Sequence, residues 1–263
     1  MVNPFYSPGE QRAAKVQELF ARIASRYDLI NDFQSFGLHR YWKSRLIRLA
    51  APGAGQTALD VCCGTGDLAY ALAKRGACVM GLDFSEPMLA HALAKETNGR
   101  SCGLLQEVNP QFIRGDALEL PFPDNSFEIL TVGYGLRNLS DFSAGLREML
   151  RVTKPAGRVL ILDFGKPDNA TWRSIYFGYL RLFVPLLGLL FCGNSNAYAY
   201  ILESLKHYPA QNGVAEIMRS LGFQQVRIYS FLAGVMTINY GEKPRKPASE
   251  PTSRAVPDSV KNV

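Results

Sequence analysis

The sequence has few of the residues that bind metals or form disulfide bonds. Among 263 residues it contains three histidines and five cysteines. No two cysteines have the C-x-x-C spacing of a structural zinc site, and they do not form an even disulfide framework. The cysteines are Cys62, Cys63, Cys78, Cys102 and Cys192. We therefore expect no metal in the functional site and a reducing, cytoplasmic location for the protein.

The sequence also lacks an apolar run long enough to cross a membrane. Its most apolar segment, Trp172–Cys192, is interrupted by Arg173, Arg181 and Pro185, whereas a spanning helix needs ~20 apolar residues. The polar N-terminus contains no apolar segment of the kind found in secretory signals. We expect neither a transmembrane anchor nor a secretory signal.

Basic residues exceed acidic residues, but they do not form a run interleaved with aromatic residues. The formal net charge is +6. We therefore expect no nucleic-acid partner. The positive charge is compatible with contact with an anionic membrane surface and also with solubility alone, and the composition leaves both open.

Short apolar runs alternate with amphipathic stretches, which predicts a parallel sheet covered by helices on both faces. The predicted strands are Ala58–Cys62, Cys78–Asp83, Phe112–Gly115, Ile129–Val132 and Arg158–Phe164. The predicted helices are Glu10–Ser25, Tyr41–Ala51, Asp67–Arg75, Glu86–Thr97, Phe142–Val152 and Gln211–Leu221. Two final apolar runs, Gln225–Phe231 and Gly234–Tyr240, predict a hairpin at the edge of the sheet. Residues 242–263 are rich in proline, serine and charge, which predicts a disordered tail.

The segment LDVCCGTGD, Leu59–Asp67, places two glycines directly after the first predicted strand. In an open parallel sheet, a glycine loop that leads into a helix lies where ligands bind. Asp83 ends the second predicted strand, where its carboxylate can accept hydrogen bonds from ribose hydroxyls. The structural alternatives are a tight turn without a ligand and a helix cap by Asp83 near Ser85. The cysteines of this segment are interpreted as small apolar residues that close the strand.

Two classes of nucleotide ligand share this pattern. Dinucleotide-binding loops have a third glycine, and the pattern tolerates the alanine that stands there, Ala69. The spacing alone therefore does not exclude NAD. Asp60, inside the first strand and four residues before Gly64, favours a ligand with a cationic amino-acid group.

The arrangement Asp60-x-x-x-Gly64-x-Gly66, followed by Asp83 and then by Gly115-Asp116-Ala117, resembles the S-adenosylmethionine site of class I methyltransferases. The resemblance implies an α/β, Rossmann-like fold with a mostly parallel seven-stranded sheet. It also implies S-adenosylmethionine as the co-substrate, without a metal. The cofactor-binding residues that it implies are Asp60, Gly64, Thr65, Gly66, Asp83, Asp116, Ala117 and Gly133.

Further blocks resemble the ubiquinone/menaquinone C-methyltransferase family over residues 10–240. The blocks are Tyr27–Asp32, Ser35–Lys43, Tyr134–Asp141, Tyr198–Ser204 and Tyr208-Pro209. Within this family, the double cysteine is similar to the cyanobacterial and chloroplast members that methylate demethylphylloquinone. Ala156 departs from the family, which usually has glycine at that position.

The family resemblance implies methyl transfer to a ring carbon of a prenylated naphthoquinol in phylloquinone or menaquinone biosynthesis. It leaves open a benzoquinol of the ubiquinone or plastoquinone pathway, and an inactive S-adenosylmethionine-binding subunit of a quinone-biosynthesis complex. The predicted catalytic residues are Arg137, which would stabilise a phenolate, Asn138, which would orient it, and His39 as the base. The alternatives are a surface arginine that caps a turn and a histidine satisfied between two helices.

We predict a helical cap at residues 1–51 and a methyltransferase domain at 52–241, with a helical lid at about 168–208. The lid contains the apolar segment Trp172–Cys192. A helix that is apolar on all sides is buried or contacts lipid. Core packing is therefore one alternative, and the other is a lid that lines an apolar tunnel and rests peripherally on a membrane, such as a photosynthetic membrane. A homodimer is also compatible with the sequence.

Overall fold

A computed structural model describes residues 27–98, 109–192 and 196–245 of the chain. Its strands are β1 Thr57–Val61, β2 Cys78–Asp83, β3 Gln111–Arg114, β4 Phe127–Gly133, β5 Thr153–Phe164, β6 Gln224–Phe231 and β7 Met236–Glu242. They form a seven-stranded sheet with the order β3-β2-β1-β4-β5-β7-β6. The strand pairs are parallel, except for those that include β7. The predicted mostly parallel, Rossmann-like fold is therefore confirmed.

The strand order creates a crevice at the carboxyl edge of the sheet. β1 pairs with β2 on one side and with β4 on the other. The chain leaves β1 toward β2 and β3 and then crosses back to β4, so the loops after β1 and β4 diverge. Ligands of open α/β sheets bind at such a switch point, and the glycine loop directly follows β1.

Helices cover both faces of the sheet, and each face has its own apolar core. In the described residues they are α1 Tyr27–Ser35, α2 Leu38–Ala50, α3 Asp67–Ala73, α4 Glu86–Asn98, α5 Phe142–Val152, α6 Ala170–Cys192, α7 Asn196–His207 and α8 Ala210–Ser220. Leu46 of α2 and Leu72 of α3 belong to one core. Leu146 of α5, Leu180 of α6 and Val214 of α8 belong to the other.

The helix α5 shows how sequence and packing agree locally. The side chain of Asp141 accepts a hydrogen bond from the Ala144 amide at 2.9 Å and caps the helix. Leu146, Met149 and Val152 recur at helical spacing and are buried. The observed bounds of α5 are the predicted ones, because its cap and its apolar stripe are both local signals.

Other element ends depend on strand pairing and were less well predicted. β5 begins at Thr153, before the predicted start at Arg158, because Thr153 pairs with Phe127 across a register irregularity. β7 extends to Glu242, which pairs with Arg158 of β5. The boundary of the predicted tail at residue 242 therefore lies inside the sheet. Residues 246–263 and the predicted helix at residues 10–25 lie outside the described residues.

Two helices were given no bounds of their own by the sequence. α1 lies in the segment predicted as a helical cap and α7 in the segment predicted as a helical lid, while α6 contains the whole predicted helical segment Trp172–Cys192, including Pro185. The rings of Phe36, which follows α1, and Phe183 of α6 stack with their centroids 6.2 Å apart. In the part of the chain that the structure describes, no helix has the length and apolar character to span a membrane.

Candidate active site

The loop after β1 bends tightly in the left-handed backbone region. Cys62, Gly64 and Gly66 have φ angles of 55°, 55° and 81°, a region that glycine adopts without strain. A side-chain carbon built on Gly64 would meet no atom within 4 Å, whereas one on Gly66 would lie 2.9 Å from the ring of Phe112. Gly64 therefore faces open space, and Gly66 lets the loop pack against the sheet.

Asp83, at the end of β2, holds this loop in place. Its Oδ2 accepts a hydrogen bond from the Gly64 amide at 2.8 Å, and its Oδ1 accepts one from the Ser85 amide at 2.8 Å. Burial raises the pKa of the carboxyl, although these backbone donors act in the opposite direction. Asp83 thus caps the turn at Ser85, and it also lines the cavity that lies beside the loop.

Two adjoining cavities open at this edge of the sheet. The first has a volume of about 610 Å³, including space open to solvent, and the second about 350 Å³. Both have Cys62, Gly64, Gly133 and Tyr134 in their walls, so they are neighbours. The first cavity has an apolar wall formed by Leu82, Phe84, Met88, Ala117 and Leu139. Its polar wall is formed by Asp83, Asp116 and Asn138.

The predicted cofactor-binding residues converge on these cavities. Gly64, Asp83, Asp116, Ala117 and Gly133 line the first, and Asp60 and Thr65 line the second. Gly66 is the exception, because it packs against Phe112 and Tyr70. A carboxylate acceptor beside an apolar wall suits the ribose and adenine of a nucleoside, and the small charged cavity next to it suits an amino-acid group.

Asp60 of β1 is buried at the second cavity. Its Oδ1 accepts a hydrogen bond from the Thr131 hydroxyl at 2.7 Å. Burial raises the pKa of this carboxyl to about 7, although the Thr131 hydroxyl and the Lys43 ammonium act in the opposite direction. Near neutral pH the group is therefore divided between its neutral and its charged form. A cationic ligand group placed near it would favour the charged form.

A second set of charged residues at this cavity was missed by the sequence analysis. Lys43 Nζ of α2 donates to Asp67 Oδ2 at 2.7 Å, and Lys95 Nζ of α4 donates to Asp67 Oδ1 at 2.6 Å. Burial opposes ionisation of Asp67, but the two lysines outweigh it together and lower its pKa to about 2. Lys43 ends one of the family blocks, and Asp67 follows Gly66. Those positions were the available signal, but the contact depends on how three helices pack.

The 3₁₀ turn Leu136–Asn138 after β4 places Arg137 and Asn138 differently. Asn138 lines the first cavity. Arg137 is buried, and its Nη1 donates to Asp163 Oδ1 at 2.7 Å and to the Tyr134 carbonyl at 2.8 Å. Asn138 Nδ2 donates to the same carbonyl at 3.3 Å. Arg137 is therefore not a surface residue, and the Tyr134 carbonyl links it to Asn138.

The predicted base, His39, is buried between α1 and α2. Its Nε2 lies 3.0 Å from Asp32 Oδ1. Burial lowers the pKa of the imidazole, and the nearby Lys43 adds to this effect, while Asp32 opposes it. His39 is absent from the walls of the two cavities described above. Its role as a base stays a prediction, and its place between two helices also fits the structural alternative.

The two adjacent cysteines belong to the wall of the site. Cys62 and Cys63 are free thiols, and burial raises the pKa of both well above the usual range. Because nucleophilic and metal-binding cysteines act as thiolates, these residues serve as small apolar groups here. Among the described residues, no cluster of three or more histidine, cysteine, aspartate or glutamate side chains could hold a metal ion.

Comparison with known proteins identifies the family. The profile of the ubiE/COQ5 methyltransferase family matches residues 9–243. The chain is 39% identical over 241 residues to the ubiquinone/menaquinone biosynthesis C-methyltransferase UbiE of Pseudomonas fluorescens, which covers 90% of this chain and 92% of that protein. It is also 39% identical over 241 residues to the demethylmenaquinone methyltransferase of Desulfitobacterium hafniense, which covers 90% and 93%.

A solved structure supports the fold. The S-adenosylmethionine-dependent methyltransferase from Aquifex aeolicus matches with a TM-score of 0.55 and 19% identity, covering 76% of this chain and 89% of that chain. At this identity the likeness concerns the fold alone. The family match in addition spans the sheet, the glycine loop and both cavities. The chain therefore belongs to the ubiE/COQ5 methyltransferase family and is an S-adenosylmethionine-dependent methyltransferase.

Proposed function

We propose that this protein methylates a ring carbon of a prenylated naphthoquinol, either demethylphylloquinol or demethylmenaquinol. The family match over residues 9–243 carries the proposal. Two relatives are named for menaquinone biosynthesis or for demethylmenaquinone, and the Cys62-Cys63 pair resembles members that act on demethylphylloquinone. When bound, S-adenosylmethionine supplies the methyl group as an electrophile.

In this proposal, the two cavities hold the two ends of S-adenosylmethionine. Asp83 accepts hydrogen bonds from the ribose hydroxyls, and Asp116 and Ala117 contact the adenine. Gly64 lets the backbone approach the ligand closely, because no atom occupies the space beside its Cα. Asp60 faces the ammonium group of the amino-acid end.

Replacement of Asp83 by asparagine is expected to weaken binding of S-adenosylhomocysteine about 100-fold. An amide has one acceptor oxygen, so it cannot accept from both the Gly64 and the Ser85 amides and also from ribose hydroxyls. Isothermal titration calorimetry measures the loss. Asp141→Asn is the matched control, because asparagine also caps a helix. If Asp83→Asn and the unaltered protein bind S-adenosylhomocysteine equally well, Asp83 does not contact the ligand.

The acceptor carbon needs help from the protein, because a quinol ring is a poor nucleophile until a neighbouring hydroxyl loses its proton. That proton goes to a base, for which His39 is the candidate. The ring carbon then bonds to the methyl carbon as the bond from that methyl to sulfur breaks, which leaves S-adenosylhomocysteine, and the ring proton passes to water when the aromatic ring re-forms. Asn138 orients the quinol oxygen at the wall of the first cavity. Arg137 supports Asn138 through the shared Tyr134 carbonyl, and its direct contact with the phenolate stays a prediction.

The proposal is tested with labelled S-adenosylmethionine and a panel of reduced, demethylated quinones. The panel contains demethylphylloquinol, demethylmenaquinol and the corresponding ubiquinone and plastoquinone precursors, and mass spectrometry identifies the methylated product. We expect methylation of the naphthoquinols. If only a benzoquinol is methylated, the proposed naphthoquinol acceptor is wrong. The benzoquinol alternative has support from the name of the Pseudomonas relative. Tight S-adenosylhomocysteine binding without any product would favour an inactive subunit.

An apolar face formed by α1 and α6 gives such a protein a way to reach a substrate dissolved in lipid. Leu29, Phe33 and Phe36 form one stripe, and Ile175, Leu182 and Phe183 form the other. Phe36 and Leu182 are 73% and 74% exposed, which is unusual for large apolar side chains. The neighbouring Arg181 is exposed as well. We assign this α1–α6 apolar face to contact with an anionic bilayer, because arginines beside apolar side chains suit such a surface.

Sedimentation with vesicles that contain anionic phospholipid tests the α1–α6 apolar face. The unaltered protein is expected to sediment with the vesicles, and the variant Phe36→Asp/Leu182→Asp is expected to stay in solution. Leu93→Asp, at an exposed leucine of α4, is the control and should still sediment. If the double variant binds vesicles as well as the control, the assignment is wrong. If it instead dissociates a dimer of the unaltered protein, the face joins two copies of the chain.

A further inference from the structure

The second cavity has an ammonium group beside a carboxylate in its wall, those of Lys43 and Asp67. Two lysines, Lys43 and Lys95, share one carboxylate, that of Asp67. The side chain of Lys43 is 15% exposed, and that of Lys95 is 35% exposed. Lys43 lines the cavity together with Asp67, whereas Lys95 is absent from its described wall.

The same cavity contains a second acidic group, the carboxyl of Asp60. Asp60 lines the cavity with Lys43. Burial raises the pKa of Asp60 to about 7, so a large fraction of the group is neutral at that pH. The cavity thus offers one cationic donor and one ionisable acid. Opposite charges placed in one small cavity are complementary to a zwitterion.

We propose that Lys43 binds the carboxylate of the methionine part of S-adenosylmethionine. The helix α2 thereby becomes part of the ligand site, although it precedes the sheet in the chain. The inference rests on S-adenosylmethionine as the ligand and not on the identity of the methyl acceptor. Asp67 acts as a positioning residue, because its Oδ2 holds the Lys43 ammonium at 2.7 Å. A carboxylate that enters the cavity would become the second anion beside this ammonium.

The helix α2 is held in place by packing and by a contact with α1, and this fixes the position of the Lys43 backbone. Trp42 and Leu46, on either side of Lys43 in sequence, are buried in the apolar core that includes α3. His39 lies one turn before Lys43 and is bonded to Asp32 of α1. An amino group held by a packed helix loses little freedom when it binds a ligand, so it binds more tightly than a flexible surface lysine would.

The test compares two variants and two ligands in the full-length protein. Lys43→Met removes the ammonium that faces the cavity, and Lys95→Met removes the one outside its described wall. S-adenosylhomocysteine contains the amino-acid part, whereas 5′-methylthioadenosine has the nucleoside and sulfur without it. We expect Lys43→Met to weaken S-adenosylhomocysteine binding by about 10- to 100-fold. Its affinity for 5′-methylthioadenosine should change less than about twofold. Lys95→Met should change the ratio of the two affinities less than Lys43→Met does, because Lys95 acts on the cavity only through Asp67 and Thr65.

Three results would overturn the inference. The first is an equal loss for both ligands in Lys43→Met, which would mean that Lys43 only supports the glycine loop. The second is no loss for either ligand. The third is an equal change in the affinity ratio in Lys95→Met. If Lys43→Met does not fold, Lys43→Arg serves instead: it keeps the charge, and it should retain the preference for S-adenosylhomocysteine that Lys43→Gln loses. Because the measurement is binding, a failure of the quinol assay does not affect it.

Discussion

Replacement of Arg137 by methionine is expected to lower the free energy of unfolding by about 3–5 kcal/mol. Arg137 and Asp163 form an ion pair whose side chains are almost completely buried. Removal of the guanidinium leaves the Asp163 carboxylate in the protein interior without its cation, and the Tyr134 carbonyl loses a donor. Urea denaturation, monitored by circular dichroism, measures the change.

The double variant Arg137→Met/Asp163→Leu separates stability from catalysis. Because both charges are absent, its stability should return close to that of the unaltered protein. Its methyl transfer to the quinol should stay low, since the turn that holds Asn138 has lost its support. If the double variant recovers both stability and turnover, Arg137 has a structural role alone. If Arg137→Met is as stable as the unaltered protein, the buried ion pair is not formed in solution.

The Asp60→Asn variant is expected to lose a marked pH dependence of stability. In the folded protein, burial raises the pKa of Asp60 from 3.8 to about 7. Between these pH values the folded state retains a proton that the unfolded chain has released. Unfolding therefore releases a proton, and a higher pH favours unfolding. Relative to Asp60→Asn, the unaltered protein should lose about 4 kcal/mol of stability across this window.

The comparison is made without ligand, by urea denaturation at intervals of pH. The informative quantity is the difference in the free energy of unfolding between the two proteins at each pH, because other carboxyls titrate in both. Asp67, for example, has a pKa of about 2 and contributes stability that is lost only as the pH falls below about 4. The Asp60 contribution has the opposite sign and lies at higher pH. If the difference in the free energy of unfolding stays constant from pH 4 to 7, Asp60 is ionised throughout this range.

Local patterns accounted for most of the fold. The bounds of β2 and α5 were predicted because apolar runs, caps and helical spacing are properties of neighbouring residues. The ends of β5 and β7 were not, because Thr153 and Glu242 belong to the sheet only through their partners Phe127 and Arg158. The helices α1 and α7 lack a strong local signal, so the sequence predicted helical regions there but not the bounds of these helices.

In the candidate site, too, some features follow from local sequence and others depend on contacts between distant elements. The sequence by itself determined the class of fold, the family, and the position of Asp60, Gly64 and Asp83, because topology brings the ends of β1 and β2 to one edge. Only the tertiary structure decided that Asp163 pairs with Arg137 and that Lys43 meets Asp67. Each of these contacts joins elements far apart in the chain. Their charges are set by burial and by neighbours, which the spacing of residues along a sequence does not record.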